Sequence, residues 1–172
     1  CWLALLASSV FVELSQAEET APRVTGFQPA ATDWPWWRGP NGNGIANPAQ
    51  NPPITWSETE NVLWKAPLAG RGHSSATVVG NQVFFPTAEE DRELLAVVSF
   101  DRQTGKQLWR TDVHKGGMDK KGNKKTSQAS SSVACDGERL YFNFLNSGSV
   151  VTTALDLQGK QIWQRKITDF AT

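Results

Sequence analysis

The sequence predicts an all-β fold, a β-propeller of four-stranded antiparallel blades, of which about two blades and one closing strand are present. Three observations carry this prediction. From residue 61 onward, short runs of Val, Leu, Phe, Thr and Trp alternate with Gly, Asp and Asn, which is typical of consecutive hairpins. A segment ending at Trp109 recurs as a segment ending at Trp163. Eight tryptophans accompany a single tyrosine, which indicates that indole rings are used repeatedly in packing.

Residues 1–17 have the features of a signal peptide whose basic region is missing. The run from Cys1 to Val12 is apolar, and small residues precede a cleavage point expected after Ala17. A buried helix is the alternative, and the shortness of the run and the polar, proline-bearing stretch behind it disfavour that alternative. We expect a periplasmic or secreted chain with no membrane span once the signal is removed. Cys135 then has no disulfide partner and no metal-binding spacing, so we expect a buried small residue on a strand.

Residues 18–60 are predicted to form an irregular leader, because they are rich in Pro, Gly, Asn and Ala and show no apolar period. Within it, the aromatic segment 34–40 suggests a sugar or peptide platform, with Arg38 stacked on an indole. Packing of the leader against the propeller is the alternative, and it is the favoured one.

The remaining residues, 61–172, are assigned to a partial propeller with blades at about 74–113 and 131–167. The predicted strands are 75–79, 82–87, 93–100 and 106–113 in the first blade, and 131–135, 138–145, 149–156 and 160–167 in the second. The earlier fragment around Trp64 is interpreted as an outer strand that closes the ring.

The repeated motif has a physical explanation. An aspartate can accept backbone N–H groups of its own turn, a glycine takes positive φ before the last strand, and a tryptophan can then pack across the gap to the next blade. The positions that match are Asp101, Thr104, Gly105 and Trp109 in the first copy, and Asp156, Gly159 and Trp163 in the second.

This pattern resembles the repeats of the PQQ-like (pyrroloquinoline-quinone-type) β-propeller family. The second copy lacks the threonine of the turn, and Ser99 stands where the family usually has alanine. The resemblance implies a propeller of more blades, since propellers use about four to eight. We therefore expect the sequence to be truncated at both ends, which also fits the missing initiator methionine.

The resemblance implies two classes of function. The leading hypothesis is a noncatalytic exported scaffold that holds no cofactor and binds a protein or cell-envelope component. Such a scaffold is similar in kind to the outer-membrane assembly lipoprotein propeller. The alternative is part of a quinoprotein dehydrogenase that holds PQQ and calcium. Family enzymes carry an adjacent cysteine pair, which this sequence lacks. No triad or paired-carboxylate spacing indicates hydrolysis, and a formal net charge of zero argues against nucleic-acid binding.

Two further segments are candidate sites. Arg71 and His73 join the Trp64 segment to the first blade and should lie near the central channel, where they could contact an anionic or polar ligand. A tight crossover with a structural histidine is the favoured alternative. The lysine-rich loop 114–126 could attract an acidic partner, although a solvated insertion explains it equally well.

Overall fold

Two blocks of four strands make up most of the regular structure in residues 26–118 and 125–170, which a computed structural model of the chain describes. The predicted signal peptide, with Cys1, and the middle of the lysine-rich loop lie outside these residues. In the first block, blade 1, the strands are β1 (Thr77–Val79), β2 (Gln82–Glu89), β3 (Leu94–Asp101) and β4 (Gln107–Lys115). In the second, blade 2, they are β5 (Ala134–Cys135), β6 (Arg139–Asn146), β7 (Ser149–Asp156) and β8 (Gln161–Asp169).

Each blade is a meander in which neighbouring strands in sequence pair antiparallel, in the order β1-β2-β3-β4 and β5-β6-β7-β8. The register is equivalent in the two blades, because Ser99 faces Trp109 on β3 and β4 while Ala154 faces Trp163 on β7 and β8. The only helical segment in the described residues is a short 3-10 turn at Glu90–Arg92. The prediction of an all-β fold built from four-stranded propeller blades is confirmed.

The innermost strands are shorter than predicted. Strand β1 begins at Thr77 rather than at residue 75, and β5 covers only Ala134–Cys135. The backbone ahead of them bonds between the blades instead: the Ser75 N–H donates to Ser132 Oγ at 3.1 Å, and the His73 N–H donates to the Ala129 carbonyl at 3.1 Å. Because these N–H groups are hydrogen-bonded outside the blade, they do not continue the antiparallel pairing of its innermost strand.

The main core lies between the two blades. Phe84, Leu95 and Val97 of blade 1 pack in one cluster with Leu140 and Phe144 of blade 2, and all five are buried. Alternation along the strands turns these side chains toward the neighbouring blade, so a single four-stranded sheet would leave them in water. The blades therefore stabilise one another through a shared apolar layer.

The leader is fixed to the innermost strand of each blade. Trp34 exchanges two backbone hydrogen bonds with Val78 of β1, at 2.7 and 3.0 Å, and the carbonyl of Pro35 accepts from the Cys135 N–H of β5 at 2.8 Å. The leader thus covers strand edges that would otherwise expose backbone donors and acceptors.

Residues 61–65 were interpreted as a closing strand, but they pair with no strand in the described residues. Both sheets already contain four strands, and residues 61–65 join neither of them. The segment instead lies against blade 1 through its indole ring, because Trp64 stacks on Phe100 with ring centroids 6.4 Å apart.

No helix in the two described ranges is long and apolar enough to cross a membrane.

Candidate functional site

The turn between β3 and β4 is organised by one carboxylate. Asp101 Oδ1 accepts from the backbone N–H of Gln103 at 3.0 Å and of Thr104 at 2.7 Å, and also from the Thr104 hydroxyl at 2.8 Å. Its other oxygen accepts from Asn81 Nδ2 at 2.6 Å. The bonds from Thr104 are the main reason why the pKa of Asp101 lies below its usual value. Gly105 follows with φ of 70°.

In blade 2 the same turn forms without threonine. Asp156 Oδ1 accepts from the N–H groups of Gln158 at 3.0 Å and of Lys160 at 2.8 Å, and Gly159 takes a φ of 85°. The repeat therefore depends on the aspartate and the glycine, while the threonine adds further bonds in blade 1.

Trp109 connects the two blades at their outer edge. Its indole Nε1 donates to the carbonyl of Leu157 at 2.9 Å, and its ring lies over Gly159, where a Cβ would be 2.7 Å from the ring carbon Cδ2. On its other side the ring meets Phe84 at a centroid distance of 5.9 Å. The side chain thus fills the space between the outer strand of one blade and the turn of the next.

Trp64 makes the equivalent contact with blade 1. Its Nε1 donates to the Arg102 carbonyl at 2.9 Å, and its ring lies over Gly105, where a Cβ would be 2.5 Å from the same ring carbon. This docking occurs although the segment is not a strand. Trp163 occupies the third equivalent position and packs on Tyr141 of its own blade, with ring centroids 6.1 Å apart.

The structure gives Arg71 and His73 different surroundings. The backbone of Arg71 pairs with Ala88, while its guanidinium donates to the Thr126 carbonyl at 3.0 Å and lies 4.0 Å from a Glu90 carboxylate oxygen. Arg71 also borders a cleft of about 380 Å³. The His73 side chain is exposed. These contacts hold the crossover in place.

Arg38 packs near its own sequence neighbour. Its guanidinium carbon lies 5.5 Å from the centroid of the Trp37 ring, and Nη2 donates to the Asn43 carbonyl at 3.3 Å. The stacking arrangement expected from the sequence is present, and Trp37 is 65% exposed.

A charged cluster at one end of blade 1 was missed by sequence reasoning. Glu89 at the end of β2 bonds to Arg110 of β4 and to Arg92 at 2.9 Å, and Arg110 also bonds to Asp112 at 2.7 Å. Burial acts to raise the pKa of Glu89, but the bonds from Arg110 and Arg92 outweigh it and lower that pKa. Arg92 and Asp112 lie within three residues of their partners, but Glu89 and Arg110 are 21 residues apart in sequence and meet only when β2 and β4 fold into one sheet.

The quinoprotein alternative implies a calcium ion and an adjacent cysteine pair, so the acidic side chains and thiols of the described residues bear on it. No group of three or more His, Cys, Asp and Glu side chains in them could hold a metal ion. Cys135 is a buried free thiol in β5, and burial is the main cause that raises its pKa to about 11. The adjacent cysteine pair that the resemblance implies for such enzymes is not in the sequence.

Comparison with known proteins gives one family. A family model described as outer membrane protein assembly factor BamB matches residues 49–172, which include both blades, the Trp64 segment and the end of the leader. No curated protein matches the chain.

Proposed function

Because the chain belongs to the PQQ-type repeat family described as outer membrane protein assembly factor BamB, we propose that it is a noncatalytic scaffold acting in the periplasm. In this proposal it holds another protein during assembly in the cell envelope. The family name supports a protein partner, and the apolar N-terminal run of the sequence supports an exported location.

The family match over residues 49–172 carries this proposal, and the exposed apolar side chains of residues 54–63 are the contact surface that we propose. Ile54 is 93% exposed, Trp56 72% and Leu63 87%. Exposed patches of large apolar side chains are typical of protein–protein contact sites. An exposed tryptophan is also among the residues that contribute most to binding energy.

This segment is held in one shape by its own hydrogen bonds. The Ser57 N–H donates to the Glu60 carbonyl at 3.1 Å, and Asn61 Nδ2 donates to the Thr55 carbonyl at 2.8 Å. Ser57 Oγ accepts from the Glu60 N–H at 3.1 Å. A preorganised turn loses little conformational entropy on binding, which favours a partner contact.

The proposal is tested by photocrosslinking in the cells that make the protein. A benzophenone amino acid replaces Trp56 in one variant and Leu63 in another, and adducts are identified by mass spectrometry. We expect both positions to crosslink to the same envelope protein. Lys106, which lies exposed in the turn of blade 1, is the matched control position and should give no such adduct.

Two results would contradict the scaffold. One is the absence of an adduct from positions 56 and 63 when the crosslinker is incorporated and the protein is exported. The other is calcium-dependent dye reduction by the full-length protein after addition of PQQ, which would support the quinoprotein alternative.

A further inference from the structure

The leader encloses a cleft of about 520 Å³ that the proposed function does not use. It lies between residues 27–36 and residues 40–50, so most of its wall precedes the range matched by the family. Pockets of about 300 to 1,000 Å³ are typical for small-molecule ligands. The cleft is large enough for one or two sugar rings.

Two tryptophans form its aromatic wall. Trp34 and Trp36 are both half-buried, and Gly39 lies so close to the Trp34 ring that a Cβ there would be 2.7 Å from it. Trp34 is further fixed by its backbone bonds to Val78. Within the described residues neither indole N–H has a hydrogen-bond acceptor, and both indole nitrogens keep some solvent exposure. Both rings line the cleft, and both keep an indole donor that no acceptor in the described residues uses.

The facing wall carries amides on a folded loop. Asn43 Oδ1 accepts from the Ile45 N–H at 3.0 Å, and Asn47 Oδ1 accepts from the Ala49 N–H at 2.9 Å. Gln50 Nε2 donates to the Ala31 carbonyl at 2.9 Å and ties the loop to the opposite wall. With their oxygens engaged in this way, the NH₂ groups of Asn43 and Asn47 are the donors that remain, and Asn41 adds a third amide to the wall.

The wall contains one charged side chain, Asp33, and the protein itself binds both carboxylate oxygens. Oδ1 accepts from the Gly80 N–H at 2.9 Å, and Oδ2 accepts from the Ala30 N–H at 2.8 Å. No Lys or Arg lines the cleft. An anionic ligand would find no counter-charge there, and the Asp33 carboxylate is buried and already hydrogen-bonded, so the wall best suits a neutral, polar ligand.

We infer that this cleft binds a neutral sugar, as one or two rings of a saccharide. The apolar face of a pyranose packs on an indole ring, while its hydroxyl groups accept from amide NH₂ groups and indole N–H groups and donate to carbonyl oxygens. An extended peptide is the other ligand for an aromatic cleft. It would need a long open groove, whereas the 40–50 loop closes this one on a second side.

The test uses the purified full chain and a panel of uncharged disaccharides: cellobiose, maltose, lactose and N,N′-diacetylchitobiose. Saturation-transfer NMR detects binding, and calorimetry gives the Kd. We expect at least one sugar to bind, and we expect Trp36→Ala to raise the Kd of that sugar about tenfold or more. Trp37→Ala is the matched control, because its ring neighbours Trp36 in sequence, is 65% exposed and does not line the cleft.

Asn41→Ala keeps the test decisive if Trp36→Ala fails to fold, which circular dichroism would show. It should also weaken binding, since Asn41 has no structural bond to lose within the described residues. Binding of no sugar at millimolar concentration would overturn the inference. So would equal losses in the Trp36 and Trp37 variants, or Trp36-dependent binding of a proline-rich peptide in place of sugars. Crosslinking at positions 56 and 63 does not depend on these outcomes, so the two proposals fail separately.

Discussion

At the residue scale, Gly159 serves two purposes in the docking of the blades. Its φ of 85° lets the chain turn between β7 and β8, and its missing side chain leaves room for the Trp109 ring. The indole adds a hydrogen bond to the Leu157 carbonyl. The energy of this contact therefore combines apolar burial with one satisfied buried polar group.

Trp109→Ala should lower the free energy of unfolding by about 3 to 5 kcal/mol, because it opens a cavity between the blades and leaves the Leu157 carbonyl without its donor. Urea unfolding followed by circular dichroism measures the loss. Trp163→Ala is the control, since that ring contacts Tyr141 in the same blade, and its loss should be smaller. A loss below about 1 kcal/mol for Trp109→Ala would contradict its docking role.

Asp101 should make stability depend on pH in the acid range. Its pKa is lowered in the folded chain, so its stabilising effect is complete above the unfolded value of about 3.9 and is lost as pH falls through the folded value. Asp101→Asn should therefore reduce the loss of stability between neutral pH and pH 3 in urea titrations. Asp91→Asn, at an exposed position between β2 and β3, should leave that loss unchanged.

At the element scale, β4 of blade 1 packs on β6 of blade 2 through a histidine. The His114 ring meets Phe144 edge-on, with centroids 6.2 Å apart, and Nε2 is buried without a hydrogen-bond partner in the described residues. Burial lowers the pKa of His114, because the apolar contact disfavours its charged form.

The folded chain should therefore lose stability as pH falls from about 6.5 toward the lower pKa of folded His114, since the unfolded chain binds the proton more readily. Thermal unfolding between pH 5 and 7.5 measures the slope of Tm against pH. His114→Gln should flatten this slope, and His73→Gln, at an exposed position, should not. Equal slopes in the wild type and the His114 variant would show that protonation of His114 does not destabilise the contact between the blades.

At the scale of the whole molecule, the leader and both blades meet around Cys135. Its thiol is 2% exposed, its backbone N–H is bonded to Pro35 of the leader, and its pKa is raised to about 11. A thiol reagent needs both access and the thiolate form. Labelling of Cys135 therefore reports opening of the leader and the inner strands together.

In native protein at pH 8, Cys135 should react with a maleimide at least about a hundredfold more slowly than in urea-unfolded protein. A Cys1→Ser background makes the signal specific, and mass spectrometry follows the reaction. Asp33→Ala should accelerate labelling, because it removes the carboxylate that anchors the leader to Gly80. Fast labelling of the native parent chain would mean that the leader and inner strands do not protect the thiol.

Sequence reasoning predicted most of the strands because the signals for them are local. The Asp101 turn closes within five residues through Thr104 and Gly105, so turn chemistry alone indicates where β3 ends and β4 begins. The shorter β1 and β5 were not predicted, because the groups that end them lie in the other blade. Of the candidate site, the Arg38 stack was predictable from adjacent residues, and the cleft between distant parts of the leader was not.

Alternation, turn residues and internal repetition are visible in the sequence, and they are enough to predict the all-β class, the four-strand repeat and the docking positions of the tryptophans. Three contacts arise only when the chain folds: Trp64 docks without a strand, the leader pairs with β1, and Glu89 bonds to Arg110. These contacts join residues that are far apart in the chain. Contacts between residues tens of positions apart depend on how whole blades and the leader pack, and no local pattern encodes that packing.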